Sequence, residues 1–326
     1  MKILVTGGAG YIGSHICKEL REKNYEPIVF DNLSEGYKKF VKWGEFVYGD
    51  LSKPSDLSKL DAHDIKATIH LANNAYVPES WKNPSKYYKN NISNGINLLE
   101  YLKKRKVLKF IFSSTCAVYK NSKKALNENS SIYPSSPYGR SKLFFEQILE
   151  DYSKVYNFKV CTLRYFNASG ADKTLSIGEA HVPETHLIPN LIEAFEKKKT
   201  FYIYGKSYPT RDGTCIRDFI HVTDLAVAHC KALKKINKIS KKFTIFNLGS
   251  GKSYSVLDVV NEVKKFSNKK VNLKFAPKRS GDVSVSKSNI KLAKFHLNWK
   301  PENSSLRNII KTAYLWYKKK KKIKLY

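Results

Sequence analysis

Cysteine is scarce: Cys17, Cys116, Cys161, Cys215 and Cys230 are scattered along 326 residues. Their number is odd and no C-x-x-C spacing occurs, which argues against a disulfide framework and against a cysteine-based zinc site. No apolar stretch approaches the roughly 18 residues of a membrane span. The N-terminus "MKILVTGGAG" carries a short apolar run broken by glycines, so it reads as a first strand and not as a signal peptide. A reducing cytoplasm is the expected compartment. No internal repeat appears, and low complexity is confined to the tail "YKKKKKIKLY". Acidic residues are few, 28 against 59 Lys plus Arg, for a net charge of +31. Such a charge can mark a nucleic-acid partner. The lysines are diffuse, however, and no helix-turn-helix, zinc-finger or RNP pattern supports one. Attraction of an anionic small substrate is the better expectation.

What is present is a succession of short, continuously apolar runs: 2–6, 27–31, 45–50, 67–72, 109–114 and 159–166. Runs of this kind are buried parallel strands. Helical patterns fall between several of them, at about 12–23, 85–105 and 139–156. The predicted fold is α/β, a Rossmann-like doubly wound parallel sheet. After residue 167 the rhythm loosens into Pro-containing loops, which predicts a smaller mixed α/β substrate domain. The expected division is 1–167 and 168–326. "FTIFNLGSG" (243–251) reads as one more strand and turn, and about 219–248 is expected to rejoin the first domain.

"VTGGAGYIGSH" follows the first strand and opens the first helix. Gly7, Gly10 and Gly13 stand in a G-x-x-G-x-x-G pattern, which lets the backbone approach a pyrophosphate resting on a helix N-terminus. Asp31 ends the second strand, where an acid accepts from the adenosine ribose hydroxyls and repels a 2′-phosphate, favouring NAD over NADP. Asp50 is a second acid at a strand end; it serves either the adenine edge or a turn. "SPYGRSK" (136–142) sets Tyr138 and Lys142 four residues apart, on one face of a helix. "KFIFSS" runs into Thr115, beyond the carboxyl end of a strand where ligands bind in such sheets.

The glycine pattern at the first turn, the hydroxyl of Thr115 after the fifth strand and Tyr-x-x-x-Lys together resemble the extended short-chain dehydrogenases/reductases. "GGAGYIGSH", "DNLSEG", "SSTCAVY", "SPYGRSK", "LRYFNASGA", "YPTRDGTCIRDFIHVTDLA", "NLGSG" and the Gly-Asp of "APKRSGD" follow in order over nearly the whole chain. That order is similar to the UDP-glucose 4-epimerase family. The resemblance implies bound NAD, a UDP-sugar substrate and a homodimer built on helices at 89–104 and 139–156. It implies Tyr138 as general base and later acid, Lys142 as its electrostatic support and holder of the nicotinamide ribose, and Thr115 as partner of the sugar hydroxyl. Further cofactor contacts are implied at Tyr11, Ile12, Asn32, Leu51, Leu71 and Ala72, and at Asn90, Ser113 and Phe166.

On the substrate side the resemblance implies Asn167 at the diphosphate and sugar, with His186 and Leu187 in the same wall. Asp282 accepts from a ribose hydroxyl. Arg217 and Arg279 can clamp phosphate through planar donors; the alternative for each is a surface salt bridge. Tyr204 packs beside uracil or else is a core aromatic. Ser286 lies where a small residue leaves room for an N-acetyl group at the sugar's C2, so activity on UDP-N-acetylglucosamine besides UDP-glucose is expected. Alternatives are a 4-epimerase of another UDP-sugar, such as UDP-N-acetylglucosamine or UDP-xylose, or a non-catalytic NAD-binding module docking to anionic partners.

The sequence departs from the family at Pro78, where Gly is more usual, at Ala75, where some members carry Lys, and at Lys120, after "AVY". Cys116 and Ala117 follow Thr115, so the Asp–Glu pair of the related 4,6-dehydratases is missing. His181 and His186 are five apart with a proline between them. No third ligand presents itself in the sequence, so they are expected to be loop residues, and no metal is expected.

Overall fold

The computed structural model describes residues 1–279 and 282–323. Gly281 of the Gly-Asp motif and the last three residues of the basic tail lie outside them. In chain order the first part runs β1 (Lys2–Thr6), α1 (Tyr11–Glu22), β2 (Glu26–Asp31), β3 (Glu45–Tyr48), β4 (Ile65–His70), α2 (Val77–Lys82), α3 (Pro84–Tyr88), α4 (Asn94–Lys104), β5 (Lys109–Thr115), α5 (Pro137–Tyr156) and β6 (Lys159–Tyr165). The remainder runs β7 (Asn167–Ser169), α6 (Leu187–Lys197), β8 (Phe201–Tyr204), β9 (Ile216–Arg217), β10 (Phe219–His221), α7 (Val222–Lys235), β11 (Phe243–Leu248), β12 (Tyr254–Ser255), α8 (Val256–Ser267), β13 (Leu273–Ala276), β14 (Val285–Ser286), α9 (Lys291–Leu297) and α10 (Leu306–Lys320).

Seven strands form one sheet in the order β11-β6-β5-β4-β1-β2-β3, and every pairing is parallel. The continuous apolar runs follow from burial on both faces. In β1, Ile3 and Val5 join the core beneath α1 and α7, while Leu4 joins the core beneath α4 and α5. Side chains alternate across a strand, so a sheet covered twice has no polar face. The strand order reverses between β1 and β4, which opens a crevice at their carboxyl ends.

A separate apolar cluster unites α6, α8 and α10 through Ile188, Leu191, Phe195, Val259, Val263 and Ile309. β8 pairs in parallel with β13 beside it. β9 pairs with both β12 and β14, which brings Arg217 next to Ser286.

Two local expectations are corrected. The helix expected over 85–105 is broken into α3, a π-turn at Lys89–Ser93 and α4. The wider turn aims Asn90 and Asn91 at one target, since the Oδ1 atoms of both accept from the Asn74 amide, at 2.9 and 2.8 Å. Such π-turns recur at functional sites. The strand expected at 67–72 ends at His70, because Leu71 to Asn74 leave the sheet to border the crevice. Among the described residues no helix is long and apolar enough to cross a membrane.

Candidate active site

One cavity of about 1110 Å³ lies at the carboxyl ends of the sheet strands and extends under α6 and β14. Every residue expected in the site lines it except Tyr204. Residues far apart in sequence converge there because the switch point gathers the ends of β1, β2, β4 and β5.

The glycine turn is shaped by contact. Gly7 has φ +72°, and a Cβ there would sit 2.8 Å from Ala72 N; at Gly13 one would sit 2.2 Å from Gly7 O. No side chain caps the first turn of α1 and no acid lies in it. Its amides and the positive end of its dipole therefore face the cavity available to an anion, which fits a dinucleotide pyrophosphate. Asp31 stands beside this turn, 7% exposed. One carboxylate oxygen accepts from Ala9 N at 3.0 Å and the other from Leu33 N at 2.8 Å. Burial pushes its carboxyl up, and these two amides pull it back. Asp31 thus braces the turn and keeps a lone pair on each oxygen for a ribose. Asp50 accepts from Asn32 Nδ2 at 3.0 Å and from Ser52 N at 2.8 Å. It makes a turn contact and still lines the cavity.

The segment 136–142 is an N-terminal helix signal. Ser136 caps α5 by accepting from Gly139 N at 3.1 Å, and Pro137 occupies the first turn. A Cβ on Gly139 would lie 2.5 Å from Ala117 O. Glycine there lets α5 approach the loop after β5, which brings Tyr138 to Thr115. Burial pushes the Tyr138 phenol up to about 12, a hydrogen bond with Thr115 pulling against it. Burial pushes Lys142 down to about 7, with Glu146 opposing. Lys142 Nζ donates to Ser113 O at 2.7 Å and to Asn73 Oδ1 at 3.0 Å. Asn73 was not expected in the site. Its Nδ2 lies 3.0 Å from His70 Nε2, and His70 Nδ1 lies 2.7 Å from Thr6 Oγ1. The signal for it was its place directly beyond a strand end.

On the far wall, Arg217 and Asp282 contact each other, with Nη2 3.3 Å from Oδ1. The pair is a salt bridge inside the cavity wall, where two expected substrate residues meet. Arg279 stacks on Tyr204, its guanidinium carbon 3.7 Å from the ring centroid. Tyr204 is 38% exposed, so the core-aromatic alternative is excluded. Asn167 donates to Asp218 O at 2.7 Å, which leaves its carbonyl oxygen unspent. Ser286 is buried, with its hydroxyl 3.8 Å from Cys116 Sγ.

The absence of a third ligand near His181 and His186 is corrected. The loop before α6 folds so that Glu179, His181, Glu184 and His186 bring one ligand atom each within 4.8 Å of one another. Glu179 was not read from the sequence, where it precedes the histidine motif without a spacing rule.

A parallel sheet with a glycine turn at its switch point, and a Thr, Tyr and Lys gathered beside it, defines a dinucleotide-dependent enzyme acting on a hydroxyl-bearing substrate. The NAD dependent epimerase/dehydratase family model matches residues 3–249, and the chain belongs to that family. It is 40% identical to a UDP-glucose 4-epimerase of Rhizobium leguminosarum bv. trifolii over 97% of both chains. The UDP-glucose 4-epimerase of Brucella ovis, solved in complex with NAD, superposes with a TM-score of 0.93 at 40% identity, over 97% of this chain and 98% of that one. The UDP-Glc/GlcNAc 4-epimerase of Campylobacter jejuni superposes with a TM-score of 0.85 at 39% identity, over 98% and 99%.

Proposed function

We propose that this chain is an NAD-dependent UDP-glucose 4-epimerase, interconverting UDP-glucose and UDP-galactose. The observation that carries the reading is the meeting of Thr115, Tyr138 and Lys142 in the cavity that also holds the glycine turn. Residues 1–167, rejoined by about 219–248, would hold NAD; 168–326 would hold the UDP-sugar.

Bound NAD would accept the C4 hydride and return it to the other face of the sugar, and its positive ring would favour the phenolate of Tyr138. Tyr138 takes the C4 hydroxyl proton and later gives it back. Thr115 orients that hydroxyl. Lys142, fixed by Asn73 and the Ser113 carbonyl, supplies the cationic anchor for the cofactor's ribose. Asp31 receives the adenosine ribose, and its charge opposes a 2′-phosphate. Arg217, Arg279 and Asn167 face the diphosphate.

Ser286 supports a wider substrate range that includes UDP-N-acetylglucosamine, because a small residue at that wall leaves room beside the sugar. A homodimer is proposed on α4 and α5. Phe144 and Val155 are exposed and eleven residues apart on α5, hence on one helical face. A monomer mass in solution scattering at micromolar protein would refute it. The proposed cytoplasmic setting suits five free thiols.

The test of the main reading is purification with bound NAD, followed by a panel of sugar nucleotides monitored by proton NMR. Interconversion of UDP-glucose and UDP-galactose without added reductant is expected. A protein that neither carries nor takes up NAD, and leaves every sugar unchanged, would sink it.

A further inference from the structure

The loop between β7 and α6 carries a cluster of which the proposed chemistry uses only His186, in the substrate wall. Two imidazoles and two carboxylates meet at the border of the cavity. His186 Nδ1 lies 2.8 Å from Glu179 Oε1 and 3.1 Å from Glu184 Oε1. His181 Nδ1 lies 3.2 Å from Glu179 Oε1 and 3.8 Å from Glu184 Oε2. We propose that Glu179, His181, Glu184 and His186 form a closed four-ligand site for a divalent first-row transition cation, with Zn²⁺ the best match.

Three observations carry this. The first is spacing. Nitrogen and oxygen ligands at about 2.0–2.2 Å from a tetrahedral zinc stand roughly 3.3 Å from each other. The imidazole–carboxylate contacts, 2.8 to 3.8 Å, fall about that edge; Glu184 meets His186 through Oε1 and His181 through Oε2, and a set of one atom per residue stays within 4.8 Å. The second is unmet demand. His181 Nδ1 and Glu184 Oε2 are buried and make no hydrogen bond, although each has a partner of opposite kind nearby. Glu184 Oε1 accepts from the Thr185 and His186 amides, both at 2.9 Å, which leaves Oε2 as the carboxylate atom open to a cation. The third is charge. The chain has 59 Lys plus Arg, yet among the described residues Glu179 and Glu184 form ion pairs with histidines alone. Two carboxylates with two neutral imidazoles balance one divalent ion. Mixed N and O donors suit zinc and its neighbours better than calcium or magnesium, which prefer oxygen throughout.

A closed site with four protein ligands is structural in character. It would fasten an irregular loop whose next residues, Leu187 onward, begin α6 and line the cavity. With Nδ1 of His186 turned to the carboxylates, its Nε2 remains for the cavity.

The experiment uses the NAD-loaded protein after chelator treatment, titrated with Zn²⁺ and, for its visible spectrum, Co²⁺. One equivalent per chain is expected, with a tetrahedral Co²⁺ spectrum. His181→Gln and Glu184→Gln should each weaken binding by more than the roughly 10–100-fold typical of an outer-shell change. His296→Gln, at an exposed histidine outside the cluster, should bind as the parent does. Absence of stoichiometric binding, or equal binding by the cluster variants, overturns the site and leaves an ion-pair network. Should the variants fail to fold, X-ray absorption of the zinc-loaded parent decides. Four mixed N/O ligands support the site, and a six-oxygen shell overturns it.

Discussion

Arg164 on β6 and Glu146 on α5 are joined by two hydrogen bonds, Nη2 to Oε2 at 2.5 Å and Nε to Oε1 at 3.0 Å, with both side chains 3% exposed. Glu146 also accepts from Ser114 Oγ, one residue before Thr115. Glu146 therefore ties α5, which carries Tyr138 and Lys142, both to β6 through Arg164 and to β5, the strand that carries Thr115, through Ser114. Removing one partner strands the other charge in a dry site. Glu146→Ala should lower stability by about 3–5 kcal/mol, the usual result of breaking a buried pair. Denaturant unfolding measures it. A loss under about 1 kcal/mol, the scale of an exposed pair, would show that the charge is solvated.

Tyr138→Phe removes one hydroxyl from a half-buried ring. NAD and UDP-sugar should still bind, while turnover falls by about 10²–10⁴-fold, the range for an acid–base group. Calorimetric binding beside initial rates separates the two effects. Near-parental turnover would take Tyr138 out of the proton path.

Lys142 loses its proton near pH 7 in the folded, NAD-free protein, against 10.5 ordinarily, because burial disfavours the charge. Between those values the unfolded chain holds more protons than the folded one, so stability rises with pH. The penalty is fully present below pH 7 and fades toward 10.5. Melting of the parent against Lys142→Met should show the parent gaining ground from pH 6 to pH 9. A constant difference would mean that the ammonium stays charged throughout.

Asp31→Ala should act twice. It frees the amides of Ala9 and Leu33, and it removes the charge that opposes a 2′-phosphate. NAD affinity should drop and the preference over NADP should narrow, both read by fluorescence titration of NAD-stripped protein. An undiminished preference would locate cofactor choice elsewhere.

Ser286→Tyr fills the wall beside β9 with a ring. Overpacking costs about 1–3 kcal/mol, so discrimination of roughly 5- to 150-fold against UDP-N-acetylglucosamine is expected. UDP-glucose should be retained. Equal losses on both sugars would remove Ser286 from the role of gate.

The sequence by itself determined the elements with strong local causes. The centres of the strands, Ile3–Val5 and Phe110–Phe112, are apolar throughout because both sheet faces are covered, and that shows in composition alone. Gly7, Gly10 and Gly13 announce a tight turn, and at Gly7 and Gly13 a Cβ would collide with backbone. Ser136, Pro137 and the Tyr138–Lys142 spacing announce a helix start and a shared face, which depend only on neighbours in the chain. Tertiary structure decided what depends on chain return. Asn73 reaches Lys142 across 69 residues of sequence. Arg217 meets Asp282 because β9 is clasped between β12 and β14. The π-turn exists to aim Asn90 and Asn91 at Asn74, and an ideal helical period hides it. Glu179 joins two histidines through an irregular loop, where no periodicity fixes which side chains converge. Local signals are written in adjacent residues; the partners of a buried charge are chosen by packing.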